Sequence, residues 1–530
     1  MIALAEPSGQ LNKNRTFSEA EPKWTPIPTF SINVGRKRSA TLLQVRSEKR
    51  QRRIVSLNIT DLSLLLPGTQ ERVVRRRCPG MSTKFCLTFL TLAVCIAAQS
   101  VLAQQTHGVD RAQGIRLREP FRGGRALAGQ NSQEETLIFP GLLKREALES
   151  GNPLATYAAM LDLEPQYQKS KIFSGIYPEI RFNFEEFLGF PLAGIQAMSL
   201  PMYRRKTPSG ETPIPVLYKP EMAVKVIERE AEKARIVIFG EEHHLPQTRS
   251  LYETLLRVLW RQGYRYLAAE SFTDKVTSSD FTSPDYQSGY YLRDPVFASA
   301  VRVAKDIGYQ LIAYDTQERG PSGDASFRDR TQAENIKART FDRDPHAKVL
   351  IFAGRGHASE ETAQDGWTPM ASVLKRLTGM NPLTVYAPAM SQRLTPEEED
   401  PLYRFATSRG LVKQPTIFVN RAEDRLLGSA SFDAYIFWPR IKVIDSRPDW
   451  MVRDLGRKRT RIPIRLLAGR GMRLVQAFRK GEPSSAVPVD QVIINESNDR
   501  KVLMLPPGRF WLRTIDRDSK VIAEAPLRVS

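Results

Sequence analysis

Arg235-Ile236-Val237-Ile238-Phe239-Gly240 runs straight into Glu241-Glu242-His243-His244. A short β-branched apolar run that ends in glycine and then turns acidic and imidazole-rich has the form of a buried parallel strand with polar groups at its carboxyl end. Leu251, Leu255, Leu256, Leu259 and Trp260 follow on one helical face. The alternation then repeats. YRYLAAE at 264–270, YQLIAYD at 309–315, AKVLIFAG at 347–354 and LTVYA at 383–387 read as strands. Segments 295–307, 324–341 and 370–377 read as helices, the first opened by Pro295 in its first turn. Strands alternating with helices predict an α/β fold, a mainly parallel sheet with helices on both faces. TIFVN at 416–420 and DAYIFW at 433–438 read as further strands of this core, which spans 216–460.

The flanks differ in character. Residues 104–135 are polar and Arg/Gly-rich, a flexible leader, and 136–215 mix short apolar runs with Pro and Gly. Together 104–215 read as a leader and an N-terminal subdomain. From 461 to 530 the spacing becomes that of an all-β unit. VPVDQVII at 487–494, KVLML at 501–505 and RFWLRTI at 509–515 are strands, the last two followed by the turns Pro506-Pro507-Gly508 and Asp516-Arg517-Asp518. A small C-terminal β-sandwich-like domain is expected.

Met81 starts a segment with the form of a secretory signal peptide: Lys84 as the charged region, an apolar stretch at 85–98, and Val101-Leu102-Ala103 as a cleavage signal. The apolar stretch is shorter than the roughly 20 residues a spanning helix needs. The expectation is a signal peptide at 81–103 and an exported chain, periplasmic or secreted, cut near Ala103. Residues 1–80 would then be a disordered extension or a mis-assigned start. Such a cut removes Cys78, Cys86 and Cys95, all three cysteines, and half of the +20 net charge. It leaves no thiolate for a disulfide, a zinc site or a nucleophile. The basic clusters at 36–38, 49–53 and 75–77 lie upstream of it, so no nucleic-acid partner is expected, and no later apolar run is long enough to span a bilayer.

Ligands of open α/β sheets bind beyond the carboxyl ends of the strands. Polar residues stand there four times: Glu241, Glu242, His243 and His244; Glu270; Asp315; and Arg355 and His357 after Gly354. Three of the five histidines of the chain lie in these loops. Imidazoles and carboxylates serve as general bases and as ligands of divalent metals. Glu241, His243 or His244, Glu270 and His357 are therefore candidate catalytic residues, with Glu241, His243, Glu270 and His357 as a metal set for Zn, Mn or Co. The same carboxylates can instead cap helix N-termini, and the histidines can be ordinary loop residues. No phosphate loop and no nucleophile elbow is present.

Taken together, Gly240-Glu241-Glu242-His243, Glu270, Arg328-Asp329-Arg330-Thr331-Gln332-Ala333-Glu334-Asn335-Ile336 and Gly354-Arg355-Gly356-His357 resemble the superfamily of erythromycin esterases, ChaN-type haem-binding proteins and Tiki/TraB proteins. The resemblance covers about 216–389. Its esterase branch implies a histidine general base supported by Glu241, Glu270 and His357. Its Tiki-like branch implies a divalent-metal site for peptide hydrolysis. Its ChaN-like branch implies haem or iron binding, but the later histidines of that branch are missing after His244. Arg328 and Asn335 match the helix motif, as braces or as substrate contacts, and Arg355 can hold an anionic group.

The function expected is thus an exported hydrolase. A Glu/His cluster, with a divalent metal, would activate water against an ester, amide or peptide bond of a small-molecule or peptide substrate. The alternative is a non-catalytic haem, iron or other ligand-binding protein.

Overall fold

A computed structural model describes residues 152–530 apart from 171–173, 176, 205–206, 319 and 498. The upstream extension, the expected signal segment and the leader lie outside the described residues.

Strand β2 (Ile236–Glu241) is buried along its whole length. On one side it pairs in parallel with β5 (Val349–Gly354), Ile238 opposite Ile351. On the other it pairs in parallel with β6 (Leu383–Met390), Ile238 opposite Thr384. Strands β3 (Tyr266–Ala269) and β4 (Gln310–Ala313) extend the sheet beyond β5, and β8 (Ala434–Phe437) extends it beyond β6. Antiparallel β7 (Thr416–Val419) and β1 (Lys219–Met222) close that edge. The order is β1-β7-β8-β6-β2-β5-β3-β4. The chain leaves β2 toward β3, and it later crosses β2 between β5 and β6, so the connections diverge at the carboxyl end of β2. That reversal opens a crevice.

The period of two in the strands fills two cores. Val237, Phe239, Leu350 and Phe352 pack against α4 (Ala223–Ala231), α5 (Tyr252–Arg261) and α6 (Pro295–Ile307). Ile236, Ile238, Val349 and Ile351 pack on the opposite face against α7 (Phe327–Arg339) and α8 (Met370–Thr378). Each such aliphatic side chain contributes about 1.5–3 kcal/mol when buried. Asp294 caps α6 by accepting from the Val296 N–H, Pro295 starts it, and Gly308 ends it at φ 111°.

After the core, β9 (Val443–Ile444) and β10 (Arg447–Pro448) form a short antiparallel pair. The C-terminal region is antiparallel. Strands β12 (Arg473–Arg479), β13 (Asp490–Ile494), β15 (Gly508–Asp516) and β16 (Val521–Val529) form a sheet in the order β13-β12-β15-β16, and β11 (Lys458–Arg461) pairs with β14 (Val502–Leu505). Val475, Ala477, Phe510 and Leu512 face Leu503 and Leu505 of β14. On the other face, Leu474, Ile493 and Ile515 pack against Leu154 and Met160 of α1 (Pro153–Lys169) and Ile180 and Phe184 of α2 (Tyr177–Phe187). The helices before the α/β core thus share an interior with the strands after it. Among the described residues, no helix is long and apolar enough to cross a membrane.

Candidate functional site

Strand β2 ends on Glu241, 3% exposed. Arg249, fully buried on the 3-10 turn Pro246–Leu251, meets it as a fork: Nε donates to Oε2 and Nη2 to Oε1, both at 2.9 Å. Tyr252 donates its hydroxyl to Oε2. Arg249 also donates to Asp294 Oδ2 and to the His243 carbonyl, each at 2.9 Å. Burial alone would favour the neutral carboxyl. The guanidinium and the His243 hydrogen bond outweigh it and hold Glu241 down at about 2.

His243 Nδ1 lies 2.8 Å from Glu241 Oε1, and its ring stacks on Tyr291 at 4.1 Å. An ionised carboxylate can only accept, so Nδ1 donates its proton to Glu241 and Nε2 faces the crevice. There Nε2 stands 3.8 Å from Glu270 Oε2. Glu270 directly follows β3. Its Oε2 accepts the Gly354 N–H at 2.6 Å and its Oε1 accepts Arg328 Nη2 at 2.8 Å. Burial opposes its ionisation, but His357 and Arg328 outweigh burial and keep it well below the usual carboxylate range.

A second carboxylate–imidazole pair completes the cluster. His357 Nδ1 is 2.6 Å from Asp329 Oδ1, and Asp329 also accepts from Trp367 Nε1 at 2.9 Å and the Met370 N–H at 2.8 Å. His357 Nε2 is 3.1 Å from Arg328 Nη1 and 3.5 Å from Glu270 Oε1. Burial lowers the affinity of this ring for a proton; Glu270 and Asp329 more than compensate, so its pKa is raised. Arg328 forks onto Asp315 at 2.9 and 2.8 Å, and Gln332 steadies Asp315 at 2.8 Å. Glu241–His243 and Asp329–His357 therefore flank the two oxygens of Glu270. Gly354 forms the floor: a Cβ there would lie 2.8 Å from His243 Nε2 and 3.1 Å from Glu270 Oε2.

Of the residues singled out in the sequence, Glu241, His243, Glu270, Asp315, His357 and Arg328 come together. His244 turns the other way, toward α2, with Nε2 3.4 Å from Glu179 and Nδ1 3.7 Å from Glu186. Asn335 donates to the Tyr314 carbonyl at 3.1 Å and braces β4 against α7. Arg355 holds Glu242 through Nε at 2.7 Å, with Nη1 3.4 Å from the Tyr386 hydroxyl. Sequence reading missed Arg249, Tyr252, Asp294, Asp329 and Trp367, while Tyr291, read with Tyr286, Tyr290 and Phe297 as a substrate wall or as packing, stacks on His243. Asp329 had a signal, since it stands beside Arg328 in the helix motif; the others become partners only through the tertiary fold.

The donor set as built does not fit a metal. Both Glu241 oxygens are taken by Arg249, with Tyr252 and His243 adding further bonds. Glu270 and His357 Nε2 share their space with the permanent cation of Arg328. A haem ligated through histidine needs an imidazole nitrogen with room beyond it for the iron and its porphyrin. His243 Nε2 faces Glu270 and His357 Nε2 faces Arg328, so neither ring presents one.

No known sequence family and no curated protein matches the chain. Two solved structures are similar to it. The type III effector HopBA1 is 13% identical, covering 34% of this chain and 91% of its own, at a TM-score of 0.23. The C-terminal region of Pasteurella multocida toxin, described with a thiol-protease-like catalytic triad, is 10% identical, covering 64% of this chain and 52% of its own, at a TM-score of 0.24.

Proposed function

We propose that the crevice is a hydrolytic acid–base site and that the core is of the erythromycin esterase, ChaN and Tiki type. One observation carries the reading: His243 is locked through Nδ1 by a buried, ionised Glu241 so that its other ring nitrogen, Nε2, faces Glu270 in a partly open crevice. A base oriented by a third group is the arrangement that nucleophile activation needs. After Cys95 the chain has no cysteine to act as a thiolate nucleophile, and in this reading the nucleophile is water.

His243 Nε2 takes a proton from water as the oxygen bonds to a substrate carbonyl carbon. The carbonyl electron pair moves onto its oxygen, where the charge of Arg328, 42% exposed, offsets it. The tetrahedral species then collapses, and the bond to the alcohol or amine breaks. His357 protonates the leaving group, and the proton on His243 returns the pair to its resting state through solvent. The substrate class is an ester, amide or peptide, met outside the cytoplasm after export.

Hydrolysis of such a panel in ¹⁸O-labelled water tests the reading. One label enters the released carboxylate with the wild type. A panel left unturned, or a product without label, overturns it.

A further inference from the structure

The loop that carries His243 is held from two sides. On the core side, Arg249 ties Glu241 and the His243 carbonyl together. The other side is built from the segment before the core. His244 is 4% exposed and lies between two carboxylates one face apart on α2, Glu179 at 3.4 Å and Glu186 at 3.7 Å. Tyr203 stands over it, its hydroxyl 3.3 Å from Nε2 and 2.9 Å from Glu179 Oε1. The His244 carbonyl is pressed against Gly194 of α3 (Ala193–Met198), where a Cβ would meet it at 2.2 Å. Only glycine permits that approach. The neutral members of a core would fill this space at less cost, because a buried histidine among carboxylates is expensive to desolvate.

We propose that His244 is a positioning residue for the reaction at His243. Helix α2 and the turn after α3 grip it through Glu179, Glu186 and Tyr203, and they thereby set the Glu241–His243 pair and, through the following 3-10 turn, Arg249. This rests on the hydrolytic reading of the crevice, and it makes the N-terminal helices part of the active site instead of an appendage.

The full chain is compared with His244→Gln and with Glu179→Gln/Glu186→Gln, which remove the charges with little change of volume. Two quantities are read: turnover of a substrate found in the ¹⁸O panel, and the imidazole ¹⁵N shifts of His243, which report the protonated nitrogen. Loosening the loop lowers kcat about tenfold or more with KM within about twofold, since small misplacement is costly to the chemical step and not to binding. It also moves the His243 shifts away from the Nδ1–H form. A folded variant with unchanged kcat and unchanged shifts overturns the proposal. If His244→Gln does not fold, the double carboxamide variant is read in the same way. If the wild type turns over nothing, the shifts decide alone: movement supports the grip on His243 although the hydrolytic reading has failed, and unmoved shifts overturn the grip as well.

Discussion

Arg249 meets both oxygens of Glu241 at 2.9 Å inside the protein, with neither side chain more than 3% exposed. The pair is separated by only eight residues, and the proline-initiated turn between them folds the guanidinium back under the strand end. Removing the cation leaves the buried carboxylate held only by Tyr252 and His243. Arg249→Leu is expected to cost about 3–5 kcal/mol of unfolding free energy. Urea denaturation reads it, and a loss under about 1 kcal/mol, the value of an exposed pair, contradicts it.

Glycine at 354 is needed for space, since its φ is not left-handed and the added Cβ would stand 2.8 Å from His243 Nε2. Gly354→Ala is expected to fold and to lose about a hundredfold in kcat, because the methyl group takes the position of the attacking water. Full activity in the alanine variant would place the reacting water elsewhere.

Stability should respond to the charge on His244. Burial pushes this imidazole down, but Glu179 and Glu186 on either side raise it to about 10, from 6.5 for a free side chain. A raised pKa means that the folded state holds the proton more tightly than the unfolded one. The contribution is fully present below pH 6.5 and is lost as pH climbs through 10. Denaturation midpoints of the wild type should fall across that window, and those of His244→Gln should fall less. Parallel curves would show that the ring is not charged in the fold.

Chelators provide a separate check. Arg249 and Arg328 supply the positive charge at Glu241 and Glu270. Turnover should survive o-phenanthroline and EDTA, and Glu241→Gln should lose activity without any change in bound metal. Activity that vanishes with a chelator and returns with zinc, manganese or cobalt contradicts the donor assignment.

The strands of the core were legible because parallel strands buried on both faces write themselves as unbroken β-branched runs, and β2 and β5 are such runs. Their polar ends pointed to Glu241, Glu270 and His357. Which of two neighbouring histidines faces the crevice was not legible, because a loop has no period; packing of His244 against Gly194 decides it. Strand β12, which opens with buried Arg473 and holds buried Gln476, broke the apolar pattern, and β16 contains Pro526, tolerated there because β16 is an edge strand. The packing of α1 and α2 on the C-terminal sheet joins segments some 300 residues apart, a distance over which sequence patterns carry no register.

Steady-state kinetics of His243→Ala test the base most directly, on whichever ester, amide or peptide the wild type cleaves. The expected result is a folded protein whose kcat/KM falls by about a hundredfold to ten-thousandfold, the usual contribution of a positioned base. A His243→Ala protein that keeps its wild-type rate would contradict the assignment of the crevice as the reacting site.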